Sequence, residues 1–329
     1  MARRNFGDDV TFFAPSLKHF DTPDFPRDRA CRVRAISVTG RDCELQCDHC
    51  RGLVLKGMTP ASEPDGLPGA AAALSQQGAE TLLVSGGSGR DGVVPLSGHI
   101  ADMARIRSEL GLRIMVHTGI TDAALAEDLA AAGVDTALID IPGDDATIAR
   151  ICHLRGVTTA DYDRSLANLC AAGLRVVPHV VIGLHRGEVR GEHEAIRIIA
   201  GHAIDSLVLV GLRPLEGTPM AGVTPPGPEQ MAGVFLFARM TLPGTAIMLG
   251  CERPGGRHKE ETDILALEAG LNGIAFPADG VVARARELGL KPRFSGMCCG
   301  APFDGPAAMR MSPGTRGHVS ADGVSGGGC

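Results

Sequence analysis

The stretch RAISVTGRDCELQCDHCRG, residues 34–52, joins a β-branched apolar strand to a loop with three cysteines. Three residues separate Cys43 from Cys47, and two separate Cys47 from Cys50. Thiolates are soft ligands that suit iron–sulfur clusters, zinc or copper(I). Because the loop follows a strand directly, its thiolates are expected at the carboxyl end of a sheet, where α/β barrels place their chemistry. The stretch therefore predicts a metal centre at the mouth of an α/β fold.

Short apolar runs alternate with Ala-rich amphipathic segments along the chain. Eight strands are predicted, at 34–39, 80–84, 112–117, 134–140, 174–182, 205–210, 244–249 and 271–276. Eight helices are predicted near 66–77, 98–110, 121–132, 158–172, 189–202, 227–241, 259–269 and 279–288. Several helical segments are followed by glycine, as at Gly133, Gly173 and Gly270, which is typical of a helix C-terminus.

This alternation predicts parallel strands joined by right-handed crossovers and closed into a (β/α)8 barrel. An open doubly wound sheet would alternate in the same way and stays an alternative. We predict three parts: an irregular N-terminal extension over 1–33, the barrel with its Cys-Cys segment over 34–303, and a flexible Gly-rich tail over 304–329.

Composition limits the class of protein. The 329 residues are 44% hydrophobic but 3% aromatic, so the core must be built from aliphatic side chains. A formal net charge of −6 gives no basic footprint for nucleic acid or anionic membranes. The N-terminus MARRNFGDDVTFF lacks the apolar run of a signal peptide, and no apolar stretch reaches the roughly 20 residues of a membrane span. A cytoplasmic location is expected, where closely spaced cysteines indicate metal or catalytic sites more often than disulfides.

Zinc is the alternative occupant of the cysteine loop. A structural zinc site takes four ligands and usually shows two paired half-sites. No second CxxC pair is present, and His49 stands between two of the cysteines, where zinc ligation would strain the loop. The spacing and the position after the first predicted strand favour an iron–sulfur cluster.

These motifs resemble the radical S-adenosylmethionine (SAM) superfamily over residues 34–290. The resemblance implies a [4Fe-4S] cluster on Cys43, Cys47 and Cys50, with SAM bound at the open iron and cleaved to methionine and a 5′-deoxyadenosyl radical. The aromatic residue that the family places before the third cysteine is His49 here. The family's Gly-Gly-Glu-like motif corresponds to Ser85, Gly86, Gly87 and Ser88, with a serine in place of the acid.

Further cofactor contacts are expected at the carboxyl ends of other strands. Thr118 follows the third predicted strand, and Asp140 follows the fourth, where it either bonds the SAM ribose or caps the next turn. The stretch VVPHVVIGLHRGE resembles the family segment that contacts adenine, and Ile182 and Gly183 match it. His179 is either a site residue or a buried polar group bonded to backbone. No catalytic residue beyond these is assigned.

A second set of cysteines indicates an auxiliary iron–sulfur cluster. Cys251 follows the seventh strand, and the extended segment LKPRFSGM is long enough to bring Cys298 and Cys299 to the same mouth. Cys329 is a candidate fourth ligand. The alternative is that the adjacent pair is a chance or redox-labile neighbour pair.

Several stretches resemble the biotin and lipoyl synthase branch, most closely the two-protein lipoyl synthase of archaea and some bacteria. They are FFAPSLKHFDTPDF, AISVTGRDCELQCDHCRG, DDATIARICHLRGVTTADY, VVPHVVIGLHRGEVRGE and LGCERPGG with the terminal cysteine pair. The resemblance implies a sulfurtransferase of lipoate biosynthesis that acts on an octanoylated lipoyl carrier protein. It also implies a second radical SAM subunit and a ferredoxin- or flavodoxin-type electron donor as partners. Two alternatives stay open, another radical SAM enzyme such as a hydrogenase-cofactor maturase and a non-enzymatic iron–sulfur redox or sensor protein.

Overall fold

The structure is a computed structural model that describes residues 2–15, 32–61 and 65–301. Over these residues, eleven strands form one sheet in which every pair is parallel. The strands are β1 (Asp9–Phe13), β2 (Val33–Ser37), β3 (Thr59–Pro60), β4 (Thr81–Ser85), β5 (Arg113–Thr118), β6 (Thr136–Asp140), β7 (Arg175–Ile182), β8 (Ser206–Gly211), β9 (Ala246–Leu249), β10 (Gly273–Ala275) and β11 (Lys291–Ser295).

Helices connect most neighbouring strands. They are α1 (Ala2–Phe6), α2 (Gly66–Gln76), α3 (Ile100–Leu110), α4 (Ala123–Ala131), α5 (Asp145–Arg150), α6 (Thr159–Ala171), α7 (Glu192–Ala200), α8 (Pro228–Thr241), α9 (Arg257–Glu268) and α10 (Val281–Glu287). Two short 3-10 helices lie at Leu53–Gly57 and Leu96–His99. All eight predicted strands and all eight predicted helices are confirmed, with shifted ends.

The strand order is β11-β1-β10-β9-β8-β7-β6-β5-β4-β2-β3. The eight predicted strands thus lie side by side in chain order, as repeated right-handed β-α-β crossovers require. In the described part of the chain, β3 and β11 are the two edges of the sheet and do not pair with each other. The predicted α/β barrel is therefore confirmed as a curled, open form.

The N-terminal segment differs from the prediction. Residues 1–33 were expected to be an irregular extension, but Asp9–Phe13 form β1, which pairs with both β10 and β11. Phe12 and Phe13 are buried there. The alternation of buried and partly buried positions in DVTFF is short. The strand is stabilised by pairing with β10 and β11, which lie more than 250 residues later in the chain. The predicted domain boundaries stay a prediction, and the tail over 304–329 with Cys329 lies outside the described residues.

Two apolar cores lie on the two faces of the sheet. The larger core packs strands against helices. The smaller core joins Phe13 of β1 to side chains of the neighbouring strands β5–β9, and β1 and β5 are far apart in the sheet order; these side chains are Met115, Leu138, Val177, Val208 and Met248. Side chains from β5, β6 and β1 can share one cluster because the sheet curls, so the smaller core is the interior of the barrel.

No helix in the described ranges combines the length and the apolar character that crossing a bilayer requires.

Candidate metal centre and cofactor site

The three-cysteine loop leaves the carboxyl end of β2 and turns back on itself. Backbone hydrogen bonds close it at Cys47, whose carbonyl accepts from Cys50 N at 3.2 Å and from Arg51 N at 2.9 Å. Cys47 and Cys50 are buried and Cys43 is partly exposed. The predicted ligands therefore lie on one compact loop at the mouth of the barrel.

Asp48 clamps this loop to the connections that follow β6 and β7. Its backbone N–H donates to Ile151 O at 2.8 Å, and its carboxylate meets His153 Nε2 at 3.0 Å and Arg186 Nη2 at 2.9 Å. His153 also contacts Leu45 O through Nδ1 at 2.8 Å. The carboxylate is buried, and its contacts with His153 and Arg186 offset the free-energy cost of removing its charge from water. The sequence prediction did not include this clamp.

Backbone strain is concentrated at the same place. Five described non-glycine residues have positive φ, and four of them are in the loop or its clamp: Gln46, Arg51, His153 and Arg186, with φ from 47° to 60°. Left-handed backbone at such residues costs of order 1 kcal/mol each and persists where the surroundings impose it. The strain indicates a loop shape that is held for a function.

The predicted motif Ser85–Ser88 packs directly against the first cysteine. Gly87 N donates to Thr39 Oγ1 at 2.7 Å, and Ser88 O accepts from Glu44 N at 3.0 Å. A Cβ on Gly87 would overlap the Asp42 carbonyl oxygen and come within 2.5 Å of Cys43 Cα. The glycine is therefore required for the close approach of β4 to the cysteine loop.

Gly87→Ala is expected to displace the loop and destabilise the fold by about 1–3 kcal/mol, because the obstructing atoms are backbone. The measurement is iron content after anaerobic reconstitution, together with urea unfolding. Gly98→Ala, where a Cβ meets nothing within 4 Å, is the control and should keep wild-type iron. Equal iron in both variants would contradict the close-packing argument.

Protonation of the thiols follows from their surroundings. The pKa of Cys50 is raised to about 12, mainly by its hydrogen bond with Cys47 and secondly by burial of the thiol. Cys152 lies beside the loop. Its carbonyl accepts from Cys47 Sγ at 3.4 Å, and its side chain contributes most to a raised pKa of Cys47. Because metal ligands must be thiolates, cluster binding displaces these protons.

The inner faces of β5, β6 and β7 carry a polar group above the apolar interior. It consists of His117, Asp140 and His179. Each of these residues lies two positions after an interior residue of the same strand and therefore on the same face of the sheet. The interior residues are Met115, Leu138 and Val177, in the same order. The charge of Asp140 also acts on His49, whose buried Nδ1 has no hydrogen-bond partner within the described ranges. The predicted residues His49, Asp140 and His179 thus come together, and His117 is an addition.

Burial lowers the pKa of His179 to about 4, and His117 adds to this while Asp140 opposes it. The folded state then binds fewer protons than the unfolded state between pH 6.5 and about 4. Stability is therefore expected to fall as the pH drops through this window, by at most about 3 kcal/mol. His179→Gln should flatten the dependence, as measured by urea unfolding across the window, whereas an unchanged slope would contradict this assignment.

The other residues predicted to contact a cofactor are buried or hydrogen-bonded within the protein. Ser85 Oγ donates to His117 O at 3.1 Å, and buried Thr118 Oγ1 donates to Leu138 O at 3.3 Å. Ile182 is fully buried in the larger core. Gly183 has φ of 85°, and its N–H donates to the buried Glu192 Oε1 at 2.6 Å. Their contacts with a bound cofactor stay predictions.

The second set of cysteines meets in the barrel interior. Cys299 belongs to the smaller core, and Cys251 and Cys298 pack against it. A hydrogen bond from Cys299 lowers the pKa of Cys298, and the same bond raises the pKa of Cys299, with burial and Cys251 adding to the increase. The segment after β11 enters the interior here, since a Cβ on Gly300 would lie 3.0 Å from Leu138 Cδ2.

A fully buried ion pair holds the Cys251 loop. Arg253 Nε and Nη2 donate to the two carboxylate oxygens of Asp263 at 2.6 and 2.8 Å. Arg253 also donates to Gly250 O at 2.8 Å and Phe276 O at 3.2 Å. Asp263 Oδ2 accepts from Ala278 N at 2.8 Å. This pair ties the ends of β9 and β10 to α9.

The spacing of the loop thiols discriminates between the two metal centres. Ligands of one zinc ion lie roughly 4 Å apart, given Zn–S bonds of about 2.3 Å. Among the described residues, the one set of three ligand atoms all within 4.8 Å of one another is His117, Asp140 and His179, and the loop thiols do not form such a set. The loop thiols are therefore not arranged as a closed zinc site, and three soft sulfur ligands, two of them buried, suit a [4Fe-4S] cluster.

Comparison with known proteins agrees with this site. A family model described as the radical SAM superfamily matches residues 37–198. The chain is 30% identical over 210 residues to a biotin synthase of Synechococcus sp., covering 59% of this chain and 64% of that protein. It is 27% identical to a biotin synthase of Zymomonas mobilis, covering 73% of this chain and 72% of that protein. The first match thus spans less than two thirds of its relative.

Solved structures share the fold. Methylornithine synthase superposes with a TM-score of 0.54 at 16% identity, covering 89% of this chain and 86% of that chain. The [FeFe]-hydrogenase maturase HydG from Carboxydothermus hydrogenoformans superposes with a TM-score of 0.58 at 14% identity, covering 94% and 73%. At these identities the likeness concerns the fold alone.

Proposed function

Because the chain belongs to the radical SAM superfamily, we propose that it inserts sulfur at an unactivated carbon of an octanoyl chain carried by a lipoyl carrier protein. The family implies a [4Fe-4S] cluster and SAM as cofactors, and Cys43, Cys47 and Cys50 are the residues that would hold the cluster. When bound, the cluster supplies the electron that cleaves SAM, and this cleavage supplies the radical chemistry that removes a hydrogen atom.

The single observation that carries the sulfur-insertion proposal is the second set of cysteines in the interior. Cys251, Cys298 and Cys299 pack against one cluster of side chains inside the barrel. Soft ligands in that position suit an auxiliary iron–sulfur cluster that would be the sulfur source. The curated relatives named above are biotin synthases, which supports this class of reaction.

The chain's own residues contribute positioning and exclusion of water. Asp48 and its partners fix the loop, and Gly87 lets β4 approach it. Below His117, Asp140 and His179, the inner wall is aliphatic at Met115, Leu138 and Val177. The segment that carries Cys299 and Gly300 packs on this wall, and the buried apolar surface keeps water away from the interior cysteines.

The test uses the full chain, reconstituted anaerobically with iron and sulfide. Roughly eight irons per chain indicate two cubes and roughly four indicate one. The protein is then incubated with SAM, a strong reductant and an octanoylated carrier peptide, with and without the second radical SAM subunit. We expect 5′-deoxyadenosine together with a peptide that has gained sulfur, as detected by mass spectrometry.

Cys298→Ala separates the two parts of the proposal. It should keep SAM cleavage while sulfur insertion stops, and Cys170→Ala, a partly exposed cysteine on α6, is the matched control. SAM cleavage without sulfur gain in the wild type would favour another radical SAM reaction. Failure to cleave SAM after full reconstitution would favour a redox or sensor protein.

A further inference from the structure

His117, Asp140 and His179 lie together because three neighbouring strands present them on one face. Asp140 of β6 is directly opposite His179 of β7, and His117 of β5 is opposite Leu138, two residues before Asp140. One ligand atom from each of the three residues lies within 4.8 Å of the other two. The sheet register alone therefore produces a three-pronged set of nitrogen and oxygen ligands.

The contacts within this set are unlike ordinary His–Asp pairs. His117 Nε2 and Asp140 Oδ2 are 3.7 Å apart, beyond hydrogen-bonding distance. Among the described residues, three other His–Asp pairs are in direct contact: His99–Asp102 at 3.1 Å, His153–Asp48 at 3.0 Å and His202–Asp163 at 2.7 Å. The distance between His117 Nε2 and Asp140 Oδ2 is instead compatible with two ligand atoms bound to one metal ion.

The second contact of His179 favours ligation as well. Its Nδ1 lies 3.1 Å from Val177 O, and as the donor in that bond it leaves the lone pair on Nε2. A metal-binding histidine usually donates its other ring N–H to a carbonyl or carboxylate in this way, which fixes the tautomer and the ring orientation. The rings of His117 and His179 have centroids 5.6 Å apart and are tilted by 55°, so the two imidazoles are close to each other without stacking face to face.

We propose that His117, Asp140 and His179, with none of the cysteines, bind a divalent transition-metal ion at the mouth of the barrel. Two imidazoles and one carboxylate on one side of an ion leave coordination positions open. These positions face the interior, where an oxygen or nitrogen atom of a small-molecule ligand can bind. The inference does not depend on the proposed sulfur insertion.

The test is a Mn²⁺ titration of the full chain with its cysteines already loaded with iron and sulfide, followed by the electron paramagnetic resonance signal of free Mn²⁺. Mn²⁺ suits carboxylate ligands and avoids thiolates. We expect one saturable Mn²⁺ per chain, with nitrogen couplings from imidazole in the pulsed spectrum. His117→Ala, His179→Ala and Asp140→Asn should each weaken binding by at least about 10-fold.

His202→Ala is the matched control, because His202 contacts a single aspartate at the surface. It should bind Mn²⁺ as the wild type does, and circular dichroism establishes that each variant is folded. The titration is repeated with Co²⁺, which imidazole ligands prefer. No saturable binding of either ion, or equal affinity in the wild type and the three variants, would overturn the proposal.

Discussion

Cys50→Ala is expected to abolish both cluster binding and reductive cleavage of SAM, the largest effect of any substitution considered. Cys50 is buried on a loop that backbone hydrogen bonds hold in one shape, so its sulfur has a defined position in the ligand set. A cluster with two protein ligands is lost or disordered, and the position at which SAM binds is lost with it. The measurements are iron content, the visible absorption of the cluster and 5′-deoxyadenosine formed under reducing conditions.

Cys152→Ala makes this experiment more decisive, because Cys152 is beside Cys47 in the structure. If three thiolates hold the cluster, Cys152→Ala keeps full iron and SAM cleavage. If the variant instead loses iron, a fourth side chain completes the cluster and leaves no iron for SAM. That result would contradict the proposed chemistry even if Cys50→Ala behaves as expected.

Asp263→Ala is expected to destabilise the protein by about 3–5 kcal/mol, because it leaves the Arg253 guanidinium buried without a counter-charge. Both side chains of this pair are 0% exposed. The substitution also removes the acceptor for Ala278 N. Urea unfolding measures the free-energy change. Since Arg253 holds the Cys251 loop through Gly250 O, a loss of auxiliary iron should accompany it.

Asp163→Ala is the control, because Asp163 is exposed and pairs with His202 at the surface. Exposed pairs contribute about 0–1 kcal/mol, so a small change is expected. The double substitution Arg253→Met with Asp263→Leu should recover much of the stability, since apolar replacements remove the unpaired charge. Equal loss in Asp263→Ala and Asp163→Ala would show that burial of the pair does not matter.

The sequence predicted the strands that carry their own apolar signal. β2 and β4–β10 are β-branched or aliphatic on both faces, as strands covered on both sides must be. β1, β3 and β11 were missed because none of them has a continuous apolar run, and β3 and β11 contain proline, as in KPRFS. Pairing with neighbours defines them as strands, and a sequence pattern does not contain that information.

The site was predictable in the same uneven way. The spacing of Cys43, Cys47 and Cys50 is local and specific. The Asp48 clamp joins residues 105 and 138 positions apart in the chain, so no local pattern could indicate it. His117 was missed because a single histidine in an apolar strand becomes significant only when Asp140 and His179 are placed beside it.

The clamp on Asp48 also sets an order of maturation. During synthesis the cysteines leave the ribosome long before His153 and Arg186, the residues that give their loop its shape. A nascent chain can therefore expose three thiols but cannot arrange them until the first seven strands have been made. Insertion of a cluster in the native loop geometry is therefore expected only after the chain has been made as far as Arg186.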